Sequence, residues 1–132
     1  MSSDYAAGLP PTLTVAGVER EITIHLQQRA EERRYITEEN LVEVLRNWVA
    51  RGIRYDEPRF NEPRRASMVY WGWIEYAGAE RLMRVAVSMD DRRIASAFTD
   101  DTATEKMNRG DIGYFQRNYE RWEMRNEAES AL

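Results

Sequence analysis

Three consecutive β-rich segments joined by very short turns constrain the fold of this chain more than any other feature. Residues 67–76 (SMVYWGWIEY), 80–88 (ERLMRVAVS) and 93–99 (RIASAFT) are rich in β-branched and aromatic side chains. Ala77-Gly78 lies between the first two segments, and residues 89–91 lie before the third. Antiparallel strands can be joined by turns this short, whereas parallel strands need a long crossover. The sequence therefore predicts a three-stranded antiparallel meander.

Alternation along the first of these segments sorts its aromatic side chains onto two faces. Tyr70 and Tyr76 share one face, and Trp71 and Trp73 share the other. One of these faces must belong to the core. Two interpretations of the other face remain open: a platform on which nucleic-acid bases stack, or a surface buried in the core or in a dimer.

Helical patterns lie on both sides of the predicted meander. Residues 24–34 have helical composition, and Thr37 is a good N-cap for a helix from Glu38 to Arg51 that stops at Gly52. Two further helices are expected within residues 101–122, the second with a core-facing apolar stripe. The predicted fold class is α+β, with two N-terminal helices, a three-stranded antiparallel meander, and C-terminal helices packed on one face of the sheet.

The remaining segments set the expected domain boundaries. We expect a flexible leader over residues 1–11, a single α+β domain over residues 12–125, and a polar tail over residues 126–132. Residues 12–22 are β-rich and form either a small hairpin or an extended arm docked on the sheet. Residues 53–66 contain two prolines and four arginines, which predicts a long loop.

Composition narrows the function classes. The net charge of −4 disfavours a general nucleic-acid coating protein, although a local basic groove is compatible with it. The chain has no cysteine, which excludes disulfides and thiolate metal sites. No apolar run has signal or transmembrane length, so we expect a cytoplasmic protein without membrane contact. No glycine-rich phosphate loop or metal-ligand spacing is present, and we expect neither a cofactor nor a metal.

The single histidine leads to a candidate catalytic site. His25 is followed at helical spacing by Arg29 and Arg33, so the three side chains share one helix face. A neutral imidazole is a suitable general acid or base near pH 7, and guanidinium groups stabilise a pentacovalent phosphate. Ser96 and Thr99 lie near the end of the third β segment, and their hydroxyls are candidate hydrogen-bond donors to a phosphate. The alternatives are a structural histidine and a helix-capping role for Thr99 and Asp100.

Part of the chain resembles a known nuclease superfamily. His25-x3-Arg29, followed by Ile36-Thr37-Glu38-Glu39 and a helix to Asn47, resembles the start of small bacterial and phage domains of the barnase–EndoU–colicin–RelE-like superfamily. The segment RLMRVAVSMDDRRIASAFTD is similar to the end of the meander in those domains. ASAFTDDTATEKM is also similar to a segment of bacterial toxins with a ribonuclease-A-like fold.

The resemblance implies a toxin-like, metal-independent ribonuclease that leaves a cyclic phosphate. His25 is then the general acid or base, Arg29 binds phosphate, and Ser96 or Thr99 holds the scissile phosphate. We expect further substrate contacts from the side chains of Arg33, Arg34, Tyr70 and Arg84. The expected partners are RNA and a cognate antitoxin or immunity protein, or a second copy of the chain. The alternative is a non-catalytic protein-interaction module on a toxin-like scaffold.

Overall fold

The fold is built around one mixed sheet with helices on both of its faces. The computed structural model describes residues 8–55 and 65–125. In chain order these residues form β1 (Thr12–Val15), β2 (Val18–Ile22), α1 (Ile24–Glu32), α2 (Glu38–Arg46), β3 (Ala50–Tyr55), β4 (Ala66–Tyr76), β5 (Ala79–Ser88), β6 (Arg93–Thr99), α3 (Asp101–Arg109), α4 (Ile112–Asn118) and β7 (Glu120–Met124).

The strands lie in the order β1-β2-β6-β5-β4-β3-β7. All neighbouring pairs are antiparallel except β2 and β6, which are parallel. The turns at Ala16-Gly17 and Ala77-Gly78 have positive φ at both residues, which matches the twist of a two-residue hairpin. The predicted strands of the meander are therefore β4, β5 and β6, and residues 12–22 form a hairpin rather than an extended arm.

The predicted architecture of two N-terminal helices, a three-stranded meander and C-terminal helices on one face is wrong. The described residues form a seven-stranded sheet, and a hairpin precedes the first helix. The helix that follows the N-cap Thr37 ends at Arg46 instead of Arg51, and the chain then enters β3. β3 gains backbone pairing with β4 on one side and β7 on the other, and this pairing overrides the helical spacing of its first residues.

Gly52 is not a helix stop but a close-approach position inside β3. A Cβ at this position would lie 3.0 Å from the Cβ of Tyr119, which follows α4.

The segment that forms β7 was expected to continue the last predicted helix. Its strand conformation depends on pairing with β3, which is distant in sequence. The C-terminal helical segment is consequently shorter than its apolar stripe predicts.

The side chains of each strand point alternately to the two faces of the sheet, and each face carries its own hydrophobic core. On the front face, α1 and α2 pack on a cluster that includes Ile74, Val85 and Ile94. On the back face, α3 and α4 pack on a cluster that includes Trp71 and Leu82. Both faces of β4 are therefore core, and the fully buried Trp71 is not a stacking platform for bases.

Some predictions lie outside the described residues. These are residues 1–7 of the expected leader, residues 56–64 of the expected loop and the expected tail over residues 126–132. Residues 53–55 of the expected loop instead belong to β3. Leu9, which belongs to the expected leader, is buried in the front core. Within the described ranges, no helix is long and apolar enough to cross a membrane.

Candidate anion-binding site

The back face of the sheet contains a buried arginine at its centre. Arg84 lies on β5 between Trp71 of β4 and Phe98 of β6, as the strand registers show. Only 8% of Arg84 is exposed. Burial of a cation costs free energy unless a partner compensates the charge, so the partners of this guanidinium decide what the position does.

The partners of Arg84 are aromatic rather than acidic. Nη1 donates a hydrogen bond of 3.2 Å to the hydroxyl of Tyr119. The guanidinium carbon lies 5.0 Å from the ring centre of Phe98 and 5.6 Å from that of Tyr119, which places it within cation–π range of both. Nε is buried and has no hydrogen-bond partner among the described residues. In the part of the chain that the structure describes, no carboxylate forms an ion pair with Arg84.

Electrostatics around Arg84 reflect this uncompensated charge. Burial lowers the pKa of Arg84, and the nearby cation Arg54 lowers the pKa further, while the field of Asp100 opposes the shift. The guanidinium still remains charged at neutral pH, because an arginine pKa starts far above that range. Burial raises the pKa of Tyr119, so its hydroxyl stays protonated. The site thus contains a cation and a neutral O–H donor.

Local structure holds the Tyr119 ring in place. Tyr119 is the C-cap of α4, and its backbone N–H bonds the carbonyl of Phe115. Its ring meets that of Trp71 edge to face at 4.6 Å. The indole Nε1 of Trp71 donates to Asp100 Oδ2 at 3.2 Å, which fixes the tryptophan in turn. A Cβ at Gly52 would lie 3.0 Å from the Cβ of Tyr119, so the glycine leaves room for this tyrosine.

A small hydroxyl residue lies on the same face as Arg84. Ser96 pairs in register with Ala86, and Phe98 pairs with Arg84, so Ser96 is the diagonal neighbour of Arg84 on the back face. Arg54 of β3 pairs with Ser67, and the strand alternation places it on this face as well. We call Arg84, Tyr119, Phe98, Ser96 and Arg54 the arginine site.

The structure does not bring the predicted catalytic residues together. His25 is exposed on the first turn of α1, which packs on the front face, whereas Ser96 lies on the back face. Arg29 Nη1 donates to Glu32 Oε2 at 3.0 Å, so the guanidinium of Arg29 already has an acidic partner. Thr99 pairs with Met83 and therefore lies on the front face, opposite to Ser96.

The remaining predicted substrate contacts are divided in the same way. Arg33 is the C-cap of α1, and Arg34 follows it in an exposed position. Tyr70 lies on the front face, where its ring meets Trp48 edge to face at 6.1 Å. Arg84 is on the back face, so it joins Ser96 but none of the other predicted residues.

The capping interpretation at the end of β6 is confirmed at Asp100. Its Oδ1 accepts a hydrogen bond of 3.0 Å from the backbone N–H of Ala103, which is the N-cap contact of α3. Because its Oδ2 accepts from Trp71, both carboxylate oxygens are used. The described residues contain no group of three or more His, Asp or Glu side chains placed to hold a metal ion.

Sequence reasoning missed Tyr119, Phe98 and Arg54 as members of the arginine site. Tyr119 fits the apolar stripe of the last predicted helix, and nothing in the sequence shows that its hydroxyl reaches β5. One signal was present in β5 itself, because Arg84 alternates with Leu82 and Ala86 on a face that is otherwise apolar. A cation at such an inward position is a sign of a functional or paired charge.

Known proteins give no independent assignment for these residues. No family model matches this chain, and no characterised protein or solved structure matches it either. The interpretation of the arginine site therefore depends on its geometry and electrostatics.

Proposed function

We propose that this protein is a binding domain and that the arginine site takes an anionic group of its ligand. The observation that supports this proposal is the state of Arg84, a buried cation that has neither a carboxylate partner nor a hydrogen-bond partner for Nε among the described residues. Buried polar groups in proteins almost always have partners, and an exception calls for an explanation such as an ion or ligand.

The donors of the site suit a carboxylate or phosphate group. The Tyr119 oxygen accepts from Arg84, which leaves the hydroxyl proton of Tyr119 available for a ligand oxygen. Arg84 Nε offers a second donor, and Ser96 offers a hydroxyl on the same face. Hydrogen bonds between charged partners are short and strong, and the low dielectric of a buried site strengthens them further.

A test of this proposal compares orthophosphate with chloride at equal ionic strength. The melting temperature of the wild type should rise with orthophosphate, because an anion that binds only the folded state stabilises it. Arg84→Met should abolish this rise, whereas Arg20→Met, which removes another equally buried arginine, should retain it. No rise in the wild type, or an unchanged rise in Arg84→Met, would overturn the proposal.

Metal-independent RNA cleavage is a second proposal, and the observation that favours it is the exposure of His25 on α1. An exposed imidazole is accessible to a large substrate. The test is incubation of total RNA with the protein in EDTA, with His25→Ala alongside. Cleavage by the wild type alone supports this proposal. No cleavage by the wild type, or equal cleavage by both proteins, excludes it. A ribonuclease need not use the arginine site, so the two proposals are tested separately.

A further inference from the structure

An open cavity of about 690 Å³ lies beside Tyr119, between the end of β3 and the segment from α4 to β7. Its wall comprises residues 53–55 and 116–122. Ligand pockets for small molecules commonly have volumes of about 300–1,000 Å³, so this cavity has the size of a nucleotide site. Tyr119 belongs to both regions, because it lines the cavity and its hydroxyl accepts a hydrogen bond from Arg84.

Positive charge is concentrated around this cavity. Arg54, Arg117 and Arg121 line it, and Glu120 is the single carboxylate among the lining residues. None of the three arginines forms an ion pair with a described carboxylate. The chain as a whole carries a net charge of −4, so this local excess of cations contrasts with its overall charge. Guanidinium groups bind phosphate oxygens in bidentate fashion.

The cavity also offers groups that suit a planar ring. Tyr55 and Trp122 contribute aromatic surface, and Gln116 and Asn118 contribute amide side chains. The indole Nε1 of Trp122 is buried and has no acceptor in the part of the chain that the structure describes. Nucleobases have both a stacking surface and hydrogen-bond acceptors, so they match this combination of aromatic and polar groups.

We infer that the cavity binds a nucleotide, with the base near Tyr55 and Trp122 and the phosphate chain on the arginines. The inference rests on the proposed function, because it assigns one phosphate group to the arginine site. Arg54 connects the two regions, since it lines the cavity and its charge also lowers the pKa of Arg84. A ligand with several phosphates spans the cavity arginines and reaches towards Arg84.

The test is calorimetric titration of the full chain with ATP, tripolyphosphate and adenosine, in buffer without divalent cations. ATP should bind about tenfold more tightly than tripolyphosphate or adenosine, because base stacking and phosphate binding then act together. Tripolyphosphate that binds as tightly as ATP would show that no base is recognised and would overturn the inference. Binding of a single-stranded oligonucleotide without binding of ATP would overturn it as well.

A matched pair of variants locates the binding site. Arg121 has a positive φ of 51°, which glycine adopts without strain, so Arg121→Gly removes the cation while preserving the backbone. This variant should weaken ATP binding about tenfold. Arg109→Ala, at an exposed surface position on α3, should bind ATP like the wild type. Equal affinities of the two variants would contradict this location.

Failure of the inference can be distinguished from failure of the proposed function. If orthophosphate stabilises the wild type through Arg84 but ATP does not bind, the arginine site stands and the nucleotide inference is wrong. If ATP binds with the same affinity to the wild type and to Arg84→Met, the cavity holds the ligand but the role proposed for Arg84 is wrong.

Discussion

Arg20 and Arg84 are equally buried arginines in the same sheet, each 8% exposed, but their guanidinium groups have different partners. Arg20, on β2, donates to both carboxylate oxygens of Asp91, at 2.8 and 3.1 Å. Arg84 contacts two aromatic rings and a tyrosine hydroxyl. Each retains one buried nitrogen that has no partner within residues 8–55 and 65–125, so the decisive difference is the carboxylate that neutralises Arg20.

This difference separates a structural arginine from one available for binding. The Arg20 pair joins β2 to the turn between β5 and β6, and its charge is compensated within the protein. The charge of Arg84 has no such compensation in the described residues, and burial lowers its pKa. A buried cation without a negative partner lowers the stability of the free protein. Such a cation is expected at a site where a bound anion supplies the compensating negative charge.

The largest expected effect comes from breaking the Arg20 pair. Asp91 has a positive φ of 62°, which asparagine tolerates, so Asp91→Asn removes the charge without new backbone strain. Loss of the partner leaves Arg20 buried and uncompensated, and this should lower the free energy of unfolding by about 2 kcal/mol, a reduced value because Asp91 is partly exposed. Urea denaturation measures the change. A loss as small as that of the surface variant Glu105→Gln would remove the contrast between the two arginines.

An alanine at Gly52 should disturb the arginine site through Tyr119. The new Cβ would lie 3.0 Å from the Cβ of Tyr119, and the clash should cost about 1–2 kcal/mol. Gly72→Ala is the matched control, because its Cβ would lie 2.9 Å from the Val44 backbone on the front face. Both variants should lose stability, but only Gly52→Ala should also lose the stabilisation by orthophosphate. Loss of this response in both would contradict the assignment of the site to the back face.

Tyr119→Phe isolates the hydroxyl that contacts Arg84. The variant should lose about 1 kcal/mol of stability, because a buried guanidinium loses a hydrogen-bond partner. The raised pKa of Tyr119 also predicts a pH dependence: its contribution is fully present below its ordinary pKa of 10.0 and is lost as the pH rises through the raised value. Urea denaturation between about pH 9 and pH 11 should show a steeper alkaline loss in the wild type than in the variant. Parallel curves would exclude a protonated hydroxyl at this position.

Local signals predicted several elements correctly. The meander strands have short turns and a clear alternation, and the N-caps Thr37 and Asp100 lie where their side chains suggest. These features depend on residues that are close in sequence. The same type of reasoning failed at β3 and β7, whose strand conformation comes from pairing between segments far apart in the chain.

In the candidate site, too, local sequence predicted some residues, whereas others depend on contacts between distant parts of the chain. Arg84 and Ser96 were accessible to sequence reasoning, because each lies on a predicted strand with a defined alternation. Their separation from His25 was not accessible, because it depends on which face of the sheet α1 covers. The contribution of Tyr119 depends on the path of the chain after α4 and on the space at Gly52, and neither is visible in the local sequence.

The most direct test of the central claim is the free energy of unfolding of the wild type and Arg84→Met, measured in chloride and in orthophosphate at equal ionic strength. In chloride, the variant should be as stable as the wild type or more stable by about 1 kcal/mol, because an uncompensated buried charge has been removed. In orthophosphate, only the wild type should gain stability. A variant that loses stability in chloride, together with equal gains of both proteins in orthophosphate, would show that Arg84 is a structural residue like Arg20.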